Sequence, residues 1–196
     1  MKKQQLYFLI FLILISCESK KSLEIKQIVS NEMVTILPSL KDQSIKDSIV
    51  LSIPMEFEVT ANSSVDYVDW LYRVDNKTLR DGSFDYQVYN DKNRKEPIYQ
   101  LDFDESLVNK PITIILKERN HLISKKNGQE LLKRYNIHIS LDNLKFGDTI
   151  KLATYNKFRD DNKPLINEFE KIKDSIHFKA VRGKKESFYV VKKINW

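Results

Sequence analysis

Cysteine is nearly missing from this chain: its 196 residues contain one, at position 17. No disulfide can form within the chain, and no cysteine cluster can hold zinc. Glycine is also scarce, with four scattered residues. That excludes a glycine-rich loop cradling a phosphate, and nothing in the sequence reads as low-complexity or as a repeat of solenoid or propeller period. Histidine occurs only as His121, His138 and His177. No two of them have the i, i+4 spacing with a neighbouring glutamate that puts two imidazoles on one helix face for zinc. His138 stands between Ile137 and Ile139, and His177 between Ile176 and Phe178. On strands both therefore point away from the apolar face and read as solvated side chains. The G-x-S-x-G elbow of serine hydrolases is absent too. Neither a metal nor a cofactor is expected, and the chain is not expected to be an enzyme.

Neither sign of charge is concentrated. Thirty-three basic and 27 acidic residues leave a formal charge of +6, but the signs alternate along most of the sequence, as on a solvated surface. Short basic clusters occur at Lys125-Lys126, Lys133-Arg134, Arg182 to Lys185 and Lys192-Lys193. A nucleic-acid footprint gathers basic residues on one face, so nucleic acid is not an expected partner. One long hydrophobic run is present. After the cationic start Met1-Lys2-Lys3, Leu6 to Ile15 is ten residues without a charge. As a helix it would rise about 15 Å, half of a bilayer's hydrocarbon core of roughly 30 Å, which is the length of a signal-peptide core rather than of a span.

That run ends Leu14-Ile15-Ser16-Cys17, which resembles the lipobox of bacterial lipoproteins. The resemblance covers residues 1–17 only, with its parts in order: basic start, apolar run, aliphatic residue, small residue, cysteine. It implies that the Cys17 thiol receives a diacylglyceryl group and that a signal peptidase cuts between Ser16 and Cys17, leaving a lipid-bearing first residue. One acyl chain holds a protein to a membrane only marginally, and stable anchoring takes two; a diacylglyceryl group supplies both. The resemblance further implies a bacterial cell-envelope location, expected at the outer membrane on its periplasmic or surface face. The expected organisation is a signal peptide over 1–16, a lipidated tether with possible first strands over 17–46, and a β-rich domain over 47–196.

Within that domain the clearest periodic signal is DSIVLSIPMEFEVT. Ile49, Leu51, Ile53, Met55, Phe57 and Val59 recur at every second position, which predicts one long strand with a buried and a wet face. Pro54 lies on the outer parity and has no N–H for a ladder, so either an edge strand or a bulge at the proline is expected. Upstream, SLEIKQI is expected to pair at a sheet edge, and EMVTILP ends at Pro38. VDYVDWLYRV predicts a strand with Val68, Trp70, Tyr72 and Val74 on one face and Tyr67, Asp69, Leu71 and Arg73 on the other. Asp81-Gly82 is a hairpin signal. FDYQVY, PIYQLDF and PITIILK read as strands, NGQELLKRYN as a short helix, and the Gly147-Asp148 turn leads into Ile150 and Leu152. NKPLINEFEKIK predicts a helix capped by Asn162, with Pro164 near its start and Leu165, Phe169 and Ile172 on one face. The chain closes with a hairpin turning near Gly183. Short strands with regular turns and one or two short helices predict a mainly β, antiparallel sandwich-like domain, with a half-open barrel or α+β arrangement as the alternative.

Two further sets of residues could carry function. Asp102 and Asp104 would share a strand face as a carboxylate pair for glycan hydrolysis or calcium, although such carboxylates, like Asp160-Asp161, ordinarily serve turns and caps. Tyr67, Tyr86 and Tyr89 would form an exposed row for sugar rings or a partner chain, whereas Trp70 and Tyr72 are expected in the core. The expected function is non-catalytic recognition of a protein or glycan of the envelope, or of a secreted macromolecule, with an immunity or inhibitor protein as one specific form. Strand addition along Ile49 to Val59, with Ser52 and Glu56 facing the partner, is the expected mode. A ligand-binding lipoprotein of an uptake system is the alternative, and a glycan hydrolase a third.

Overall fold

Alternating burial along short strands dominates the computed structural model, which describes residues 22–39, 47–79, 85–183 and 186–196. Cys17, Ser16 and the Asp81-Gly82 turn lie outside the described residues. The first sheet has five antiparallel strands: β1 (Leu23–Ile28), β4 (Pro54–Ala61), β10 (Ile112–Glu118), β7 (Tyr86–Asn90) and β8 (Asn93–Pro97), in that spatial order. The second has four: β11 (His121–Ser124), β3 (Ser48–Ser52), β2 (Met33–Pro38) and β12 (Ile150–Thr154). The third orders β14 (Glu186–Lys193), β13 (Ser175–Arg182), β5 (Tyr67–Val74) and β6 (Lys77–Thr78), with β9 (Gln100–Asp102) also pairing β5. The helices are α1 (Lys125–Arg134), α2 (Tyr155–Asp161) and α3 (Lys163–Glu170). The protein is thus mainly β, with antiparallel sheets packed as in a sandwich and no closed barrel among the described residues.

The long strand expected over Ile49 to Val59 is two strands in two sheets. Only Ile53 separates β3 from β4, and the chain bends there. Pro54 opens β4 opposite Lys117, where its missing N–H ends the ladder. The neighbours bend at the same level: Arg119-Asn120 divides β10 from β11, and residues 29–32 divide β1 from β2. Pro54 faces Lys117 and Leu51 faces His121, three steps along one strand against four along the other, so one residue bulges. The expected core face holds across the bend, with Ile49, Leu51, Ile53, Met55, Phe57 and Val59 all at most 2% exposed. Val50, Ser52 and Pro54 on the other parity are buried too, so burial alternates only from Met55 onward. The edge expectation fails, however. β4 lies between β1 and β10, and β3 between β11 and β2, so neither has a free side. The stretch read as a tether supplies β1, at a sheet edge as expected, and β2, which pairs β3 and β12.

The core lies inside this bent pair of sheets. Beneath the first sheet sits the third, joined by edge-on contacts of Phe57 with Phe178 at 5.6 Å and Tyr72 with Tyr86 at 5.7 Å between centroids. Each fully buried ring contributes on the order of 2–3 kcal/mol of transfer free energy. Trp70 and Tyr72 are buried there, as expected. Beneath the second sheet sit the helices: α1 comes so close to β3 that a Cβ on Gly128 would stand 2.3 Å from Ile49 Cδ1.

Two expected helices are present, and a third, α2, occupies TYNKFRDD, where Tyr155 and Phe158 anchor it on the core. Asn162 takes the N-cap position of α3, but its side chain serves elsewhere, donating to Tyr135 Oη (2.7 Å) and the Phe158 carbonyl (2.8 Å) and accepting from Arg134. The last hairpin turns at Gly183, whose φ of 52° is left-handed. β5 turns into β6 at Asp75-Asn76, with φ of 44° and 66°, the positive pair that a two-residue hairpin turn requires.

Candidate functional site

The third sheet turns its outer face to solvent, and that face is only partly polar. Register fixes its rows. Leu71, His177 and Val191 stand directly across β5, β13 and β14; Asp69, Lys179 and Tyr189 form the next row; Tyr67, Val181 and Ser187 the third. Leu71, Tyr189 and Val191 are 45%, 56% and 55% exposed. Lys179 reaches Asp69 at 3.6 Å, so the charges inside the patch neutralise each other. Burial and the Arg73 charge lower the His177 pKa, which favours the neutral imidazole. A partly apolar face of this kind, rimmed by polar residues such as Asp102 beside Tyr67, is a candidate interaction surface. It is bordered by β14, an eight-residue edge strand that pairs only with β13 among the described residues, and an unpaired edge can take up another strand.

Of the aromatic trio, only Tyr67 reaches this face. Tyr86 is fully buried against Tyr72, because its parity on β7 is inward. Tyr89 belongs to the first sheet, half-buried, with its hydroxyl donating to Gln87 and Lys117 over its ring. The expected row of three is therefore not assembled. Ser52 is 5% exposed on the wall of a cleft of about 390 Å³ at the bend between the first two sheets. Glu56 points to the link between β1 and β2, where it accepts from Ser30 Oγ (2.7 Å) and the Asn31 N–H (3.2 Å). Neither residue faces a free strand edge, because β3 and β4 are each paired on both sides. Asp102 accepts from Gln100 on β9, and Asp104 closes a turn by accepting from Ser106 and the Leu107 N–H. Those bonds hold the Asp104 carboxyl below its ordinary pKa. Asp104 thus serves a turn and Asp102 a bond along its own strand. Asp161 pairs with Lys157 one helical turn away.

The bend also gathers a polar cluster that sequence reasoning missed. Glu118 ends β10 and His121 begins β11. Residues three apart on a regular strand face opposite ways, but the bulge at Arg119-Asn120 turns both inward. His121 Nε2 lies 3.5 Å from Glu118 Oε1 and 4.0 Å from Asp174 Oδ2. The ring packs on Phe169 at 4.3 Å and Trp196 at 4.9 Å. Asp174 is held by its backbone, with its N–H donating to Ile172 and its carbonyl accepting from Ile194. Burial pushes His121 down to about 4. It pushes Asp174 up to about 6, opposed by the Trp196 indole N–H and assisted by the Asp75 charge. Tyr72, beside both carboxylates, is raised well above its ordinary value, chiefly by burial. With Glu118 at 0%, Asp174 at 1% and His121 at 6% exposure, a substrate cannot reach this cluster, so it is a structural polar knot. His138 is exposed in a loop and not on the strand expected there. Among the described residues no three His, Cys, Asp or Glu side chains are placed to hold a metal ion, and no helix is long and apolar enough to cross a membrane.

Comparison with known proteins adds no relative: no family model, no curated protein and no solved structure matches the chain.

Proposed function

We propose that the protein is a lipid-anchored, non-catalytic binding module of the bacterial cell envelope, tethered through Cys17 at the outer membrane and holding a protein partner against the outer face of its third sheet. The supporting observation is the patch of Leu71, Tyr67, Tyr189 and Val191 around a self-neutralised ion pair, bordered by β14, which pairs only with β13 among the described residues. A protein partner suits both features together: a strand added to β14 supplies main-chain hydrogen bonds, and its side chains cover the apolar rows. Lys192 and Lys193 at the end of β14 restrict promiscuous edge pairing. The anchor is supported by the lipobox resemblance of residues 1–17. A sugar platform is the weaker reading, since its three tyrosines lie in different places, and Asp102 and Asp104 give no convergent pair for hydrolysis.

The test is a pair of substitutions, Leu71→Lys and Val191→Lys, in the full-length lipidated protein. Both positions are exposed, so unfolding stability should change by no more than about 0.5 kcal/mol, while partner retention in detergent-solubilised envelopes falls at least tenfold. Undiminished retention of the same partner by both variants would remove the sheet face from the account.

A further inference from the structure

The cleft beside Ser52 faces the other way. Inward positions of β10 are Ile112, Ile114, Leu116 and Glu118, so Lys117 and, past the strand end, Arg119 project from the side of the first sheet opposite to the third. Here the bulges part the outward side chains, and a cleft of about 390 Å³ opens between β2, the start of β4, the end of β10 and β12. That volume falls in the range of small-molecule clefts, roughly 300–1,000 Å³.

Its lining is lopsided in charge. Among the described lining residues, Lys117, Arg119 and Lys151 face Glu32 as the single carboxylate. Glu32 is already shared, 3.0 Å from Lys117 and paired with Arg94, while Lys151 is exposed and has no ion pair among the described residues. Thr35, Ser52 and Thr149 add hydroxyls on the walls. Pro54 and Leu37 supply apolar surface on which the carbon face of a ring can rest. Cations converging with hydroxyl groups recognise oxyanions, and each charge-assisted bond is roughly twice as strong as a neutral one.

We infer that this cleft is a second binding site, for a small hydroxylated molecule bearing a phosphate or carboxylate, with Lys117 and Lys151 gripping the oxyanion and Thr35, Ser52 and Thr149 meeting its hydroxyls. The site is independent of the sheet-face proposal, because it lies on the opposite side of the sandwich and shares no residue with that patch. The oxyanion could come from a free sugar phosphate or from a phospholipid headgroup, and the same chemistry serves both.

The test uses the full-length protein reconstituted in phosphatidylcholine vesicles and titrated calorimetrically with glucose 6-phosphate, glucose and inorganic phosphate. The expected result is saturable binding of glucose 6-phosphate, weaker binding of phosphate and none of glucose. Lys151→Gln, at an exposed position that cannot disturb folding, should weaken glucose 6-phosphate at least fivefold, and Lys117→Gln with Lys151→Gln at least twentyfold. Lys95→Gln, on β8 and not among the cleft's lining residues, should leave it unchanged. Repeating the titration with phosphatidylglycerol in the vesicles separates the sources: competition assigns the headgroup as the natural occupant, and unchanged affinity assigns a soluble anion. Absence of saturable binding of either anion, or equal affinity in Lys151→Gln and wild type, would overturn the inference.

Discussion

His121 Nε2 and Asp174 Oδ2 lie 4.0 Å apart inside the bend, and burial shifts their proton affinities in opposite directions. In the unfolded chain near pH 5 the histidine holds the proton and the aspartate is ionised. In the folded chain His121 is lowered to about 4 and Asp174 raised to about 6, so the proton sits on the carboxyl and the pair is neutral. Folding transfers a proton between them and takes up almost none from solution.

Proton linkage follows with a definite sign. The lowered His121 contributes stability that is present above its unfolded value near 6.5 and is lost as pH falls through about 4. The raised Asp174 does the reverse, its contribution being present below about 3.8 and lost as pH rises through about 6. In the wild type the two slopes nearly cancel between pH 4 and 6. Asp174→Asn should uncover the histidine slope, with unfolding free energy falling on acidification across that window. His121→Gln should uncover the opposite slope. Urea denaturation at several pH values reads both, and equal slopes in the two variants would contradict the pairing.

Gly128 is a tight contact rather than a flexible joint. It lies inside α1, where alanine would gain about 1 kcal/mol of helix propensity. Its Cβ would nevertheless stand 2.3 Å from Ile49 Cδ1 and 2.9 Å from Leu141 Cδ1, and overpacking of this sort costs about 1–3 kcal/mol. Gly128→Ala should therefore destabilise, by about 1 kcal/mol net. Ile49→Val removes the nearest atom, so the double variant should lose less than the two single losses combined. Additive losses in urea melts would show that the helix shifts away instead.

Much of the fold was legible because period-two spacing of apolar residues marks the core face on both sides of a bend. The apolar residues of 49–59 keep one parity through Pro54, so the core face of β3 and β4 could be read, as could Trp70 and Tyr72 on β5, but the burial of Val50, Ser52 and Pro54 on the other parity could not. What could not be read was that one pattern serves two sheets: periodicity reports which side is buried and not which strand lies alongside. The same limit hid the polar knot, since Glu118 and His121 meet only through a bulge that has no glycine or proline to announce it. Helix α2 was missed because TYNKFRDD is short and continues directly from an apolar strand. Tyr67 was placed correctly by parity alone, whereas Tyr86 could not be told from Tyr89 without knowing which residue of β7 faces inward.

The anchor makes its own prediction. In the native host, wild-type protein should incorporate labelled palmitate and Cys17→Ser should not, because Cys17 is the chain's single thiol. Label retained by the serine variant, or missing from the wild type, would contradict lipidation at this residue.

The central claim, recognition through the outer face of the third sheet, is tested most directly by site-specific photo-crosslinking in intact envelopes. A crosslinking residue at Tyr189, 56% exposed in the middle row of that face, should give one discrete protein adduct. The same group at Lys95 on β8 should give none. An adduct from Lys95 with none from Tyr189 would place the partner elsewhere and contradict the account.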